Sequence, residues 1–181
     1  LEFRRVLFRS PDKPVWLAGY GSKRVPDGKI HDIWLKALAL EDDRGRRVVM
    51  ITSDFQGVPR SMSDRVFDRL ERAHKLDRSR VMFTFSHNHC GPRLGDDLVD
   101  YYPVEAAQVA LVEEYTTKMV DVTVDAVSRA LADLKPARLA TGMGAATFAG
   151  TYGPLWSSLF VTGMLWLFCY WLYRRQLFLR L

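Results

Sequence analysis

Two histidines separated by one residue stand at the end of an alternating apolar run. His87 and His89 follow the alternation of residues 81–86, and Gly91 and Pro92 come shortly after them. Alternation predicts a β-strand, and a Gly-Pro pair ends one. Because residues two apart in an extended chain share a face, both imidazoles would project together from the strand end. Such a pair can hold a metal ion; the alternative is two loop histidines that bond only the backbone.

A β-hairpin and a crossover helix would position this pair. Apolar runs at residues 33–41 and 47–53 flank the turn residues 42–45, which predicts two antiparallel strands. The second run is continuously apolar and β-branched, as is typical of a strand buried on both faces. Residues 59–75 then show helical spacing of apolar residues before the strand at 81–86. A strand, a helix and a strand within this length predict a right-handed crossover with parallel strands.

Asp54 directly follows the first strand of this crossover, as His87 follows the second. Because parallel strands end on the same side of a sheet, both residues would lie along one edge. A carboxylate at the end of a buried strand is costly unless it is paired. We therefore predict a catalytic role for Asp54, in which it orients a metal-site histidine. A helix cap or a loop acid is the alternative.

The remaining patterns complete an α/β fold. Ser61 and Asp64 resemble a capping box, and residues 22–30 have the composition of an exposed loop. Residues 104–134 show the apolar spacing of a long helix that Pro136 ends. The predicted fold class is α/β: a mixed sheet with a β-hairpin and a βαβ crossover, helices packed on the sheet, and an incomplete, fragment-like domain.

The composition is that of a globular domain without a nucleic-acid surface. The chain has 181 residues, of which 48% are hydrophobic and 26% charged, and its net charge is +5. Much of the arginine excess stands at the two ends without a nucleic-acid-binding motif, so nucleic acid is excluded as a partner. Cys90 and Cys169 lie in different surroundings, which argues against a disulfide framework.

Both ends differ in character from the middle of the chain. Residues 1–10 read as a translated linker or adapter, and they are excluded from the fold prediction for that reason. Residues 11–150 form the predicted partial α/β domain. Residues 151–181 form an apolar tail in which the composition changes abruptly.

Two interpretations of the apolar tail stay open. Residues 155–173 carry no charge and are followed by Arg174 and Arg175. A run of this length can cross a bilayer as a helix, and the positive-inside rule would then place residues 11–150 outside the cytoplasm. This interpretation favours membrane association and a secreted, periplasmic or extracytoplasmic membrane-associated localisation. The alternative is a chimeric or frame-shifted end, translated from unrelated sequence.

An ordered series of motifs resembles the N-terminal part of the neutral/alkaline (non-lysosomal) ceramidase family, particularly its bacterial members. The resemblance covers about residues 14–140, and its most specific part is the His-x-His motif with its Gly-Pro. In chain order the series consists of Gly19, Tyr20 and Gly21; His31 and Asp32; WLKALAL at 34–40; VVMITSDF at 48–55; MSDRV at 62–66; and SHNHCGP at 86–92.

The resemblance implies a zinc-dependent amidohydrolase. Members of that family are α/β enzymes that split N-acylsphingosine, a ceramide, into a sphingoid base and a fatty acid. They hold Zn2+ with the first histidine of the His-x-His motif, a later histidine, a glutamate and a tyrosine, and a serine further along is implicated in the attack. By this match, His87 is the metal ligand and His89 the neighbouring catalytic histidine. The substrate and loop candidates are Gly19, Tyr20, His31, Cys90 and Gly91.

What the match leaves out limits the expected activity. Cys90 stands where the family usually has serine, and no histidine follows His89. No nucleophile and no further zinc ligand is recognisable in this chain. Because a catalytic zinc needs at least three protein ligands, we expect an N-terminal fragment that is inactive alone. A different class of protein is the alternative: a membrane-anchored, non-enzymatic binding module whose histidine pair is structural or a weak metal site.

Overall fold

A computed structural model describes residues 4–7, 10–97, 99–103, 105–139 and 153–174. The chain divides into two compact units, Leu1–Pro136 and Ala137–Leu181. The described strands and α-helices are β1 (Arg4–Leu7), β2 (Trp34–Glu41), β3 (Arg47–Ser53), α1 (Arg60–His74), β4 (Val81–Phe85), α2 (Ala106–Ala132) and α3 (Gly153–Arg174). Two short 3-10 helices lie at Arg78–Arg80 and Val99–Tyr101.

The sheet of the first unit has the strand order β1-β2-β3-β4. Strands β2 and β3 form the predicted antiparallel hairpin, in which Leu35 pairs with Ser53. Strands β3 and β4 are parallel, with Ser53 opposite Phe85. The α1 helix connects these two strands, so the predicted βαβ crossover and the α/β fold class are confirmed.

The first residues of the chain take part in this sheet, which the sequence prediction had not included. Strand β1 pairs antiparallel with β2, with Arg4 opposite Ala37 and Leu7 opposite Trp34. The edge of a strand offers a row of backbone N–H and C=O groups that any extended segment can pair with. Residues 4–7 are thus part of the sheet, while the origin of residues 1–10 as a linker or adapter stays a prediction.

The core lies on one face of the sheet. Alternate residues of β2 and β3 are buried there, and α2 packs against both α1 and β2. Because neighbouring residues of a strand point to opposite faces, Met50 of β3 and Met82 of β4 are exposed, at 39% and 56%. The prediction that β3 is buried on both faces was thus wrong. The core residues include Leu35, Ala37, Val49, Ile51, Met62, Val66, Leu70, Met119, Val120 and Val127.

The α1 helix begins without the predicted capping box. Pro59 precedes the helix, and no side chain caps its N-terminus. The Ser61 hydroxyl instead donates to the Asp96 carboxylate at 2.5 Å, and Asp64 accepts from Arg78 at 2.8 Å. Both residues use their side chains in tertiary contacts, which a local sequence pattern does not reveal.

The second unit contains α3, which covers the apolar run predicted from sequence. Its described side chains are exposed, among them Trp156, Phe160 and Trp166 at 61%, 70% and 65%. None of the helices in the described ranges combines the length and the apolarity that a membrane crossing requires.

Candidate active site

The backbone beyond β4 continues the parallel ladder and thereby places His87. The Ser86 N–H donates to the Ser53 carbonyl at 2.9 Å, and the Asn88 N–H donates to the Phe55 carbonyl at 3.2 Å. His87 lies between these two bonds, beside the segment that leaves β3. The prediction that the residues after both strands share one edge of the sheet is confirmed.

The His87 side chain is fixed in one tautomer by a backbone carbonyl. Its Nδ1 lies 2.7 Å from the Gln56 carbonyl oxygen. A carbonyl can only accept a hydrogen bond, so Nδ1 carries the proton and the lone pair of the neutral ring is on Nε2. The backbone of His87 is left-handed, with φ 59°. This conformation costs free energy in a residue other than glycine, and residues held in it cluster at functional sites.

The His89 imidazole meets that of His87 directly. The two Nε2 atoms are 3.1 Å apart, and the ring centroids are 4.8 Å apart at an interplanar angle of 66°. The predicted convergence of the rings is therefore present, but its cause differs. The strand ends at Phe85, so the two histidines do not share a face through the two-residue repeat of an extended strand. The left-handed backbone of His87 brings the two rings together instead.

The chemistry and spacing of this pair fit a zinc ion. Zinc binds imidazole nitrogens at about 2.0–2.1 Å, so two nitrogens of one tetrahedral site are about 3.3 Å apart. The observed Nε2 separation of 3.1 Å is that of a hydrogen bond between the two rings, and it is also close to that value. With its proton on Nδ1, His87 accepts a hydrogen bond from His89 Nε2 at its own Nε2. The same lone pair could ligate a metal, and the bond to Gln56 is then the outer hydrogen bond of a metal-bound histidine. Within the described residues, no group of three or more histidines, cysteines and carboxylates could hold a metal, so a complete zinc site is not present among them.

A turn of left-handed residues forms the wall behind His89. Gly19, Tyr20 and Gly21 have φ of 94°, 64° and 62°. A Cβ atom at Gly19 would lie only 2.7–2.9 Å from three His89 side-chain atoms. The Tyr20 ring meets the His89 ring edge-on at 4.9 Å. The structure thus brings the candidates Gly19 and Tyr20 to the histidine pair, and it shows why residue 19 is glycine.

The far end of the histidine loop, which we define as residues 86–92, binds the segment that leads into the same turn. The Ala18 N–H donates to the carbonyl of Gly91 at 2.9 Å, and Leu17 forms an antiparallel bridge with Pro92. The Tyr102 hydroxyl donates to the Leu17 carbonyl at 2.8 Å, and burial raises the pKa of this phenol. The predicted candidate Gly91 therefore acts through its backbone, and Tyr102 supports the turn from the core side.

Arg24 also reaches the histidine loop, although sequence reasoning had assigned it to an exposed loop. Its Nη1 donates to the His89 carbonyl oxygen at 2.5 Å, and its Nη2 lies 3.6 Å from Cys90 Sγ. The guanidinium also lies over the Tyr20 ring, 4.8 Å from its centroid. No sequence motif marks this arginine, because its contacts are made with residues far along the chain.

Asp54 closes the hairpin at the edge of the site. Its carboxylate accepts a hydrogen bond from the Trp34 N–H at 2.8 Å, and its own N–H donates to the Trp34 carbonyl at 2.9 Å. The His87 imidazole donates its orienting hydrogen bond to the Gln56 carbonyl and not to Asp54. The catalytic role of Asp54 stays a prediction.

His31 and Cys90 differ in their relation to the pair. His31 Nδ1 lies 2.9 Å from the backbone oxygen of Asp32, and the side chain is exposed. Cys90 is an exposed free thiol next to His89, and its N–H donates to the Asn88 side-chain oxygen at 2.7 Å. The structure thus places Cys90 at the site, whereas the contacts described for His31 are local to its own loop.

Comparison with known families gives a match over most of the chain. The N-terminal model of the neutral/alkaline non-lysosomal ceramidases matches residues 11–151. A curated neutral ceramidase of Pseudomonas aeruginosa is 28% identical over 134 residues, which are 72% of this chain and 20% of that protein.

Solved structures give the same result. The crystal structure of neutral ceramidase from Pseudomonas aeruginosa superposes with a TM-score of 0.57 at 25% identity, covering 73% of this chain and 21% of that one. A structure described as ceramidase complexed with C2 matches with the same TM-score and identity. The chain spans about a fifth of the length of these relatives. By fold, motif order and family match, the chain belongs to the N-terminal domain family of the neutral/alkaline non-lysosomal ceramidases.

Proposed function

We propose that this chain is the N-terminal part of a zinc-dependent amidohydrolase that splits N-acylsphingosine into a sphingoid base and a fatty acid. The observation that carries the proposal is the facing pair of Nε2 atoms, 3.1 Å apart, with His87 held in one tautomer by Gln56. The relatives named above support the reaction class, since one is a neutral ceramidase and another a ceramidase complexed with C2.

His87 has the role of metal ligand in this proposal. Its Nδ1–H is fixed on the Gln56 carbonyl, so the ring presents its Nε2 lone pair in one direction. When bound, zinc supplies Lewis-acid polarisation of an amide carbonyl, which is otherwise a poor electrophile. The ring of His87 needs no rearrangement to act as a ligand, because the outer hydrogen bond already exists.

His89 has the role of proton carrier beside that ligand. Amide hydrolysis requires a proton to be taken from the attacking oxygen and one to be given to the departing amine, and histidine is the side chain most often used for both. Its Nε2 faces His87 Nε2 at 3.1 Å, and its ring is held by Gly19 and Tyr20. These contacts limit the directions from which His89 can exchange a proton.

The surroundings of the pair suit a lipid. Tyr20, Phe85 and Tyr101 are exposed by 70%, 45% and 59%. Tyr20 contacts His89, Phe85 ends the strand just before His87, and the Tyr101 ring lies against Gly21. Aromatic side chains exposed around a polar centre can accept hydrocarbon chains while the histidines face the amide.

The described residues alone are not expected to hydrolyse an amide. They offer His87 as a zinc ligand with His89 beside it, whereas catalytic zinc sites have at least three protein ligands and one open position. The remaining ligands and the nucleophile would come from other parts of the parent enzyme. We therefore propose that this chain binds metal weakly and has no ceramidase activity by itself.

Zinc binding and hydrolysis, measured together, test this proposal. Zn2+ affinity is measured calorimetrically for this chain and for His87→Ala, His89→Ala and His74→Gln. His74 bonds Ser128 away from the site, and glutamine can keep that bond, so the third variant is a matched control. We expect both site variants to lose zinc affinity and the control to retain it.

The same substitutions in the full-length parent enzyme test the chemistry. We expect His87→Ala to abolish hydrolysis of a fluorescent ceramide analogue and His74→Gln to leave it unchanged. A full-length enzyme that binds no zinc and hydrolyses ceramide equally well with His87→Ala would refute the proposal. Zinc binding by a full-length protein without any amide hydrolysis would instead favour a non-enzymatic binding module.

A further inference from the structure

Arg24 contacts the histidine loop through two of its nitrogen donors at once. A side chain with a single point charge could not make both contacts. Two of its nitrogens reach two different residues, the carbonyl oxygen of His89 at 2.5 Å and the Cys90 sulfur at 3.6 Å. The Cζ atom of the guanidinium lies over the Tyr20 ring, 4.8 Å from its centroid. Arginines elsewhere in the described chain, such as Arg46 and Arg69, bind carboxylates instead. Arg24 thus uses its planar fork on a backbone carbonyl and on a thiol of the site.

The base from which Arg24 reaches is itself fixed. The Leu17 N–H donates to the Arg24 carbonyl at 2.9 Å, which closes the loop between these two residues. Leu17 is in turn bound by the Tyr102 hydroxyl and bridged to Pro92. Arg24 therefore connects His89 to a segment that is anchored in the core.

His89 needs such a connection because the sheet does not hold it. The last ladder bond beyond β4 is made by Asn88 N–H, one residue before His89. Gly19 and Tyr20 limit the ring from one side, but neither binds the His89 backbone in the described contacts. The guanidinium bond to the His89 carbonyl fixes the backbone from which the ring projects.

We propose that Arg24 is a positioning residue, which holds His89 Nε2 opposite His87 Nε2. The link to metal binding rests on the proposed function, whereas the geometric role of Arg24 does not. A lysine at this position would keep the charge and most of the stem but could not place donors on both His89 and Cys90. The role therefore requires the fork and not only the positive charge.

Nuclear magnetic resonance of the metal-free protein tests the geometric role. The measured signals are the His87 and His89 ring shifts and the nuclear Overhauser effect between the Tyr20 and His89 rings. We expect Arg24→Ala and Arg24→Lys to shift the His89 signals and weaken that effect, while far-ultraviolet circular dichroism and the His74 signals stay unchanged. Arg46→Ala, at the remote hairpin turn, is the matched control and should change none of them.

Zinc affinity of the same variants tests the link to the site. The His89 ring contacts the proposed ligand His87. Residues that orient a metal ligand from outside typically affect affinity by about 10- to 100-fold, so we expect a loss of that size for both Arg24 variants and none for Arg46→Ala. Unchanged His89 signals in Arg24→Ala, or wild-type signals restored by Arg24→Lys, would overturn the inference. Should Arg24→Ala fail to fold, Arg24→Lys decides alone. A wild-type protein that binds no zinc contradicts the proposed function, and the resonance experiment still decides the role of Arg24.

Discussion

The Cβ position of Gly19 lies 2.7–2.9 Å from the Cγ, Cβ and Nδ1 atoms of His89. A side chain at residue 19 and the present position of the His89 ring exclude each other. The glycine backbone also has φ 94°, which L-residues with a side chain rarely adopt. The turn and the histidine are therefore fitted to each other as one unit.

We expect Gly19→Ala to displace His89. The variant should lose zinc affinity, because His89 Nε2 can no longer face His87 Nε2. It should also lose about 1–3 kcal/mol of unfolding free energy through backbone strain. Denaturant unfolding and calorimetric zinc titration measure the two effects. Gly28→Ala is the control, since nothing lies within 4 Å of its Cβ position; equal behaviour of the two variants would contradict the close fit.

The backbone and the side chain of Gln56 have separate roles, which a substitution can distinguish. Its carbonyl binds His87, whereas its side-chain Oε1 is buried without a hydrogen-bond partner among the described residues. An unsatisfied buried acceptor costs about 1–3 kcal/mol, so Gln56→Met should raise the unfolding free energy by about 1 kcal/mol and leave the His87 tautomer unchanged. Urea unfolding and the His87 ring nitrogen shifts check both outcomes.

Gln108→Met provides the opposite-sign control for that substitution. The Gln108 side chain accepts from the Trp16 N–H at 3.3 Å and donates to the Pro14 carbonyl at 3.1 Å. Its loss should lower the unfolding free energy by about 1 kcal/mol. Destabilisation of similar size by both methionine variants would show that the Gln56 oxygen is satisfied in solution.

Asp54→Asn tests the predicted catalytic role. Asparagine can keep the side-chain acceptor for the Trp34 N–H, so the unfolding free energy should change by only about 1 kcal/mol. We expect hydrolysis by the full-length enzyme to fall, because asparagine removes the charge that the predicted role of Asp54 requires. Activity equal to wild type, with unchanged stability, would reduce Asp54 to a hairpin closure.

Tyr115 is expected to contribute to a loss of stability at alkaline pH. Burial raises the pKa of this phenol well above its ordinary value of 10.0. Because the folded state keeps the proton longer than the unfolded state, its contribution is complete below pH 10 and is lost as the pH rises above that value. The unfolding free energy should then fall by up to about 1.4 kcal/mol per pH unit for one proton. Tyr115→Phe should remove this part of the slope in urea titrations between neutral and strongly alkaline pH; an unchanged slope would contradict it.

The elements of the first unit were predictable wherever a periodic pattern spans several residues. The strand predicted at 47–53 has those bounds, and the helix predicted at 59–75 is Arg60–His74. The parallel pairing of β3 with β4 followed from the length of the connection. These features depend on the local spacing of apolar residues and on the length of the connection, both of which can be read from the sequence.

The supports of the site were not predictable by the same reasoning. Gln56 acts through its backbone carbonyl, so its side-chain type carries no signal. Arg24 and Tyr102 bind carbonyls of residues 65 and 85 positions away. The histidine pair itself was found because two imidazoles at close spacing have few structural uses, whereas an arginine in a polar loop has many.

Because the backbone of His87 is left-handed, folding stability and the proposed metal binding favour different residues at this position. A non-glycine residue in this conformation costs about 1–2 kcal/mol relative to the right-handed one, and glycine or asparagine would relieve that cost. Selection for thermal stability alone would therefore favour replacing the residue that we propose as the metal ligand. Directed evolution for heat resistance should accept Gly or Asn at position 87 readily, and evolution under selection for hydrolysis should not.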